Sequence, residues 1–171
     1  CQPLIVVPAY RAGGWCDGLN EVWEKHPDAD LFICGSDDMI PKDDNWLPPL
    51  LGFLERGLYP APKMENYDPE RGYWEYPGTW EPDPQDGTPS KMSTFCVLKK
   101  EWLGHVFPLP TGLHYYGDDE IANRLRKAGI SCVACPSSVI VHNMDQRGRG
   151  AGLGSEEARM MVDRETYRSL R

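Results

Sequence analysis

The run Phe32-Ile33-Cys34-Gly35-Ser36-Asp37-Asp38-Met39-Ile40-Pro41 constrains this chain more than any other stretch, because an apolar segment only a few residues long ends abruptly in two adjacent carboxylates. It is too short for a buried helix and reads as a buried strand. In α/β architectures ligands gather beyond the carboxyl ends of strands, and hard carboxylate oxygens delivered there suit a divalent cation and a phosphorylated ligand. The pattern predicts a site as well as an element.

The chain of 171 residues is long enough for one domain with a full core, since about 150 residues bury roughly 70% of their unfolded surface. Its formal charge of −8 repels polyanions, which argues against duplex nucleic acid as a partner. An anionic small ligand therefore needs a cation or local arginines. No apolar run approaches the roughly 20 residues of a membrane span. The start, Cys1-Gln2-Pro3-Leu4, lacks the charged region and apolar core of a signal peptide. Four of the six cysteines sit in or beside apolar runs and read as reduced structural thiols, which together with the absent leader predicts a cytoplasmic protein. Cys132-Val133-Ala134-Cys135 has the spacing of a zinc or redox pair, but no second pair follows, and strand alternation sends the two thiols to opposite faces.

Along the chain, Leu4 to Val7 reads as a buried strand of a parallel sheet. From Trp15 to Lys25 the residues Trp15, Leu19, Val22 and Trp23 recur at helical spacing until Pro27 stops them, and Leu31 to Cys34 completes a βαβ unit. Asp43 and Asp44 are candidate N-caps for a helix carrying Leu47, Leu50, Leu51 and Leu54, with Gly57 closing it. Residues 59–91 show prolines, glycines, acids and the aromatics Tyr67, Tyr73, Trp74, Tyr76 and Trp80 without apolar periodicity, and are expected to be a long loop. Rings suit sugar faces, although the same aromatics could simply fold the loop over the core. Thr94 to Leu98 reads as a strand with a short helix near Glu101 to Leu103. Ser131 to Cys135 and Val139 to Val141 read as two strands, the latter ending in His142. A flexible segment over 145–154 containing Arg147 and Arg149 leads to a final helix, so 145–171 is a loop plus C-terminal helix.

A second acidic cluster, Tyr115-Tyr116-Gly117-Asp118-Asp119-Glu120, opens a helix through Ile121 and Leu125 that Gly129 closes. Acids at a helix start complement its dipole, worth about 0.3 to 1 kcal/mol each. Three in a row behind two tyrosines and a glycine exceed that need. Taken with the strand-end acids, a late histidine and two loop arginines, they suit metal-assisted chemistry on a diphosphate. Asp and His would hold Mn²⁺ or Mg²⁺, arginines would close over the leaving group, and a second acid would take a proton from an attacking hydroxyl.

In order and spacing these pieces resemble the second half of a family 2 glycosyltransferase of the GT-A fold. Ser36-Asp37-Asp38-Met39-Ile40-Pro41 followed by Asn45-Trp46-Leu47 resembles that family's DxD-type motif and the helix after it. Cys96-Val97-Leu98-Lys99-Lys100, Tyr116-Gly117-Asp118-Asp119-Glu120, Arg124-Leu125-Arg126-Lys127-Ala128-Gly129 and Val139-Ile140-Val141-His142 resemble its later elements. The resemblance implies a single α/β domain over 1–171, with a mostly parallel sheet flanked by helices and part of the usual N-terminal half lacking. It implies that Asp38, Asp37 and His142 hold the metal, that Asp118 is the base for inversion with Asp119 its rival, and that Arg147 and Arg149 face the donor diphosphate. The 59–91 region would be the acceptor side, with Trp74, Trp80 and Tyr116 as acceptor contacts. Gly117 departs from the pattern, standing where the family usually has an acid. The partners implied are a nucleotide-sugar donor and a glycan or other hydroxyl acceptor. A non-catalytic glycan- or protein-binding remnant, and a metal-dependent phosphohydrolase, are the competing expectations.

Overall fold

Helix α1, Trp15–Lys25, forms where the apolar spacing predicts it and buries Cys16 and Leu19. The computed structural model describes residues 14–36, 38–70, 72–75, 95–143 and 153–169; the expected strand at 4–7 lies outside them. Strand β1, Leu31–Cys34, alternates half-buried and buried positions, and β2, Met39–Pro41, follows the acidic turn. Helix α2, Leu47–Glu55, buries Leu50 and Leu54 and tolerates two prolines in its first turn. Its N-cap is Trp46, not Asp43 or Asp44. Asp43 instead accepts the N–H of Asn45 through Oδ1 at 2.8 Å, so it closes the turn before the helix. Gly57, at φ 76°, ends the element as expected.

The largest correction concerns the first part of the loop expected over 59–91; residues 76–91 lie outside the described residues. Residues Tyr59–Asp68 form a ten-residue strand, β3, and Gly72–Glu75 form β4, which pairs antiparallel with it. Pro60 and Pro62 concealed the strand. Tyr59 donates its backbone N–H to Ser131 O at 2.9 Å, so residues 59 and 61 turn their amides toward the neighbouring strand. Pro60 and Pro62 then face the side where, among the described residues, no strand pairs with β3 at that level, so their missing N–H groups break no described ladder bond.

Strand β5, Cys96–Lys99, pairs antiparallel with β1, setting Cys34 opposite Cys96. Strand β6, Cys132–Asn143, joins the two strands expected at 131–135 and 139–141, and the register slips between them, Pro62 facing Cys135 and Lys63 facing Val139. It lies at the centre of a sheet ordered β2-β6-β3-β4. The sheets are mixed rather than mostly parallel: among the described pairings only β3 with β6 is parallel. The run read as a parallel-sheet strand, Leu4 to Val7, lies outside the described residues, and the apolar run of β5 does not encode direction. Cys96, Val97 and Leu98 are each fully buried, so both faces of β5 are covered whatever the strand direction.

Helices α3, Lys100–Val106, and α4, Gly117–Lys127, connect β5 to β6, and α5, Leu153–Ser169, ends the described chain. Cys16, Cys34, Cys96, Cys132 and Cys135 are free and buried. Among the described residues no helix is long and apolar enough to cross a membrane.

Candidate functional site

Beyond β1 the backbone passes tightly under Phe95. A Cβ on Gly35 would lie 2.8 Å from the Phe95 ring, which explains the glycine before the acids. Met39 N–H then donates to Ser36 O at 3.1 Å, turning the chain, and Asn143 N–H donates to Asp38 O at 2.7 Å. Pairing of β2 with β6 sets Met39 opposite His142, and pairing of β3 with β6 sets Asn66 opposite the same histidine. Register alone therefore assembles the cluster. His142 Nε2 lies 3.0 Å from Asp38 Oδ2, and His142 Nδ1 lies 3.1 Å from Asn66 Oδ1. His142 and Asn66 are each 5% exposed.

That geometry has a chemical consequence. Both ring nitrogens face oxygen, yet a neutral imidazole carries only one N–H. In the tautomer with Nδ1–H given to Asn66, the Nε2 lone pair is turned to the Asp38 carboxylate, leaving a nitrogen and an oxygen donor side by side for a divalent cation; in the other tautomer Nε2–H donates to Asp38 Oδ2. A histidine whose other nitrogen donates to a fixed carbonyl is the usual support for a metal ligand. Nitrogen and carboxylate oxygen suit Mn²⁺ or Mg²⁺ as donors, so Asp38 and His142 fit the expected ion. Among the described residues no third His, Cys, Asp or Glu joins them. Asp37, the expected third ligand, lies outside the described residues.

Asp118 sits in the first turn of α4, as the sequence predicts. Its half-buried carboxyl is pushed up to about 7, chiefly by withdrawal from water and then by the Asp119 charge, while the backbone N–H groups of Asp118 and Asp119 pull the other way. Asp118 in turn helps to raise two thiols. Cys16 is pushed up to about 12 by burial, then by Asp17 and Asp118. Cys96 is held well above the usual thiol range by its hydrogen bond with Cys34 and by burial, with Asp118 adding to both. Asp118 is thus within electrostatic reach of Cys96, whose register partner Cys34 ends β1 just before the Asp38 turn. Gly117, the departure from the family pattern, has a steric reason: a Cβ there would fall 2.5 Å from Trp15 Cε3 and 2.7 Å from Cys16 Sγ.

The segment leading to Asp118 is fastened from two sides of the core. Asn20 makes a paired contact with Leu109, donating to its O at 2.9 Å and accepting its N–H at 2.7 Å. Cys16 N–H donates to Leu113 O at 3.1 Å, and Asp17 Oδ2 accepts Gly112 N–H at 3.0 Å. From α4, Arg124 pairs with Glu120 at 2.6 Å and donates to the carbonyls of Val106 and Pro108. Tyr116, an expected acceptor contact, is half-buried and stacks on Tyr167 at 5.5 Å and 9°. Trp74 stands opposite Asn66 in the β3–β4 register, which aligns its position with the row Met39, His142, Asn66. Trp80, Arg147 and Arg149 lie outside the described residues.

Asn66 was not anticipated. Its signal was a polar residue at a buried alternate position, two after Met64, legible only once the strand is recognised behind its prolines. No protein-family model matches the chain, and no curated protein matches it.

Proposed function

We propose that this chain is a metal-dependent inverting glycosyltransferase that moves a sugar from a nucleotide-sugar donor to a hydroxyl acceptor. The observation that carries this reading is the Asp38–His142–Asn66 arrangement, a histidine fixed through Nδ1 with Nε2 turned to a strand-end carboxylate. Asp38 and His142, with Asp37, would hold Mn²⁺ or Mg²⁺. When bound, the cation supplies charge neutralisation for a leaving diphosphate. Arg147 and Arg149 would close over the same group.

Asp118 takes the proton of the attacking hydroxyl. A carboxyl poised near 7 is a better base at neutral pH than an ordinary one, because it is both ionised in useful proportion and basic enough to accept the proton. Asp119 beside it keeps the proton affinity of the pair high. Trp74, Trp80 and Tyr116 are the candidates for orienting the acceptor. The resemblance to family 2 glycosyltransferases of the GT-A fold supports the same assignment. Titration calorimetry of nucleoside diphosphate with and without Mn²⁺ tests it: binding should require the cation and disappear in Asp38→Ala, and equal behaviour of the two proteins would refute it.

A second reading, a non-catalytic glycan-binding remnant, is favoured by one observation. Tyr73 is 60% exposed beside Tyr67, with ring centroids 4.8 Å apart, and offers a sugar-stacking surface that needs no metal. Glycan binding that survives chelation and Asp118→Asn, with no turnover on any donor, would select it.

A further inference from the structure

Helix α5 presents one face to the turn that precedes Asp118. Asp163 is 2% exposed, and its Oδ2 accepts the backbone N–H of His114 at 2.8 Å and of Tyr115 at 2.9 Å. Its Oδ1 accepts from Arg159 Nε at 3.1 Å, and Arg159 Nη2 donates to Gly112 O at 2.8 Å. One turn further on, Tyr167 stacks on Tyr116. Arg159, Asp163 and Tyr167 fall at successive intervals of four, a single helix face, so one stripe of α5 grips the backbone from Gly112 to Tyr116.

The grip coincides with backbone strain. Tyr116 is the one non-glycine residue at positive φ among the described residues, at 66°, and it is the N-cap from which α4 departs. A left-handed tyrosine persists only where its surroundings over-determine it. A buried carboxylate is also an expensive way to hold a loop unless its charge is used, and here one carboxylate serves two amides and a guanidinium.

We propose that Asp163 is a positioning residue for Asp118: by holding the amides of His114 and Tyr115 it fixes the left-handed turn at Tyr116, and so the point from which α4 presents the Asp118 carboxylate. This rests on the reading of Asp118 as the base. Among the described residues, Asp119 on the same helix acts on the Asp118 charge, and Asp118 in turn acts on Cys16 from α1 and Cys96 from β5, with Asp163 and Glu120 acting on the same Cys16 thiol. Asp163→Asn, which drops the charge and keeps an acceptor, separates action through the turn from action by charge.

The test is a carbon-detected NMR titration of the Asp118 carboxyl, assigned with Asp118→Asn, in the parent, Asp163→Ala, Asp163→Asn and Tyr167→Leu. It needs neither donor nor metal. Asp163→Ala should bring the Asp118 midpoint down by about one pH unit as the carboxyl swings toward water. Asp163→Asn keeps a carbonyl oxygen for the two amides and should restore the parent midpoint. Tyr167→Leu should move it in the same direction as Asp163→Ala. Folded Asp163→Ala and Tyr167→Leu proteins with an unmoved midpoint would overturn the proposal. Where Asp163→Ala does not fold, Tyr167→Leu decides by the same criterion. In turnover, Asp163→Ala should lower kcat with little change in the KM for donor. A chain without turnover on any donor whose Asp118 midpoint still moves would refute the transferase reading and leave the positioning role standing.

Discussion

Asp38 and His142 stand 104 residues apart in the chain, yet Oδ2 of the first lies 3.0 Å from Nε2 of the second. The contact is a product of strand register. Asp38 precedes Met39, Met39 faces His142 across β2–β6, and Asn66 faces His142 from β3 on the other side. The first prediction concerns this support. Asn66→Leu removes the acceptor on Nδ1 and frees the imidazole to choose either tautomer, so Mn²⁺ affinity should fall by about 10- to 100-fold. Calorimetry with Mn²⁺ alone checks it, and affinity equal to the parent would contradict it.

The raised Asp118 carboxyl makes a stability prediction with a definite sign. Its folded value of about 7 lies above the ordinary 3.8, so between those values the folded protein binds more protons than the unfolded chain. Stability from this group is therefore present at low pH and is lost as pH rises through about 7. Asp118→Asn abolishes the loss. It should match the parent below about pH 4 and exceed it at pH 8 by about 1–2 kcal/mol, the full shift being discounted because the side chain is only half-buried. Thermal melts at both pH values decide it, and a destabilised variant at pH 8 would count against it. The same substitution should cost about 10²- to 10⁴-fold in turnover.

Gly117→Ala should destabilise by about 1–3 kcal/mol, because its methyl would fall 2.5 Å from the Trp15 ring and 2.7 Å from the Cys16 thiol, so one of them must shift. Trimming the ring in Trp15→Leu should recover part of that loss, so the two changes should be non-additive in denaturant unfolding. Full additivity would mean that the contact is not what forbids a side chain there.

Asn20→Ala should cost about 2–4 kcal/mol, since it strands both the N–H and the carbonyl of Leu109 in a buried place. Asn20→Asp keeps an acceptor for the N–H in either form; ionised it strands the carbonyl, whereas protonated its O–H can donate there, so it should cost less than alanine at low pH. Chemical denaturation at pH 4 and pH 7 measures both.

Much of the local structure was legible. The apolar spacing from Trp15 to Lys25 marked α1 to the residue, because an amphipathic face repeats at the helical period whatever it packs against. Gly57 and Gly129 marked helix ends, both at positive φ. The acids at the start of α4 were placed correctly for the same local reason. Strand β3 was not legible, since prolines are read as breakers until it is known which side of the strand lacks a partner. Strand direction was hidden too, because burial on both faces writes the same apolar run in β5 that a parallel sheet would.

The sequence by itself determined which segments carry carboxylates to the ends of elements, and that His142 closes a strand: these are matters of local period, capping and chain order. Only the tertiary structure decided what meets. Register brought Asn66 behind His142, α5 brought Asp163 under the turn before Asp118, and Trp15 forbade a side chain at Gly117. Each depends on contacts between residues distant in the chain, and such contacts are set by the packing of whole elements, which no local pattern encodes.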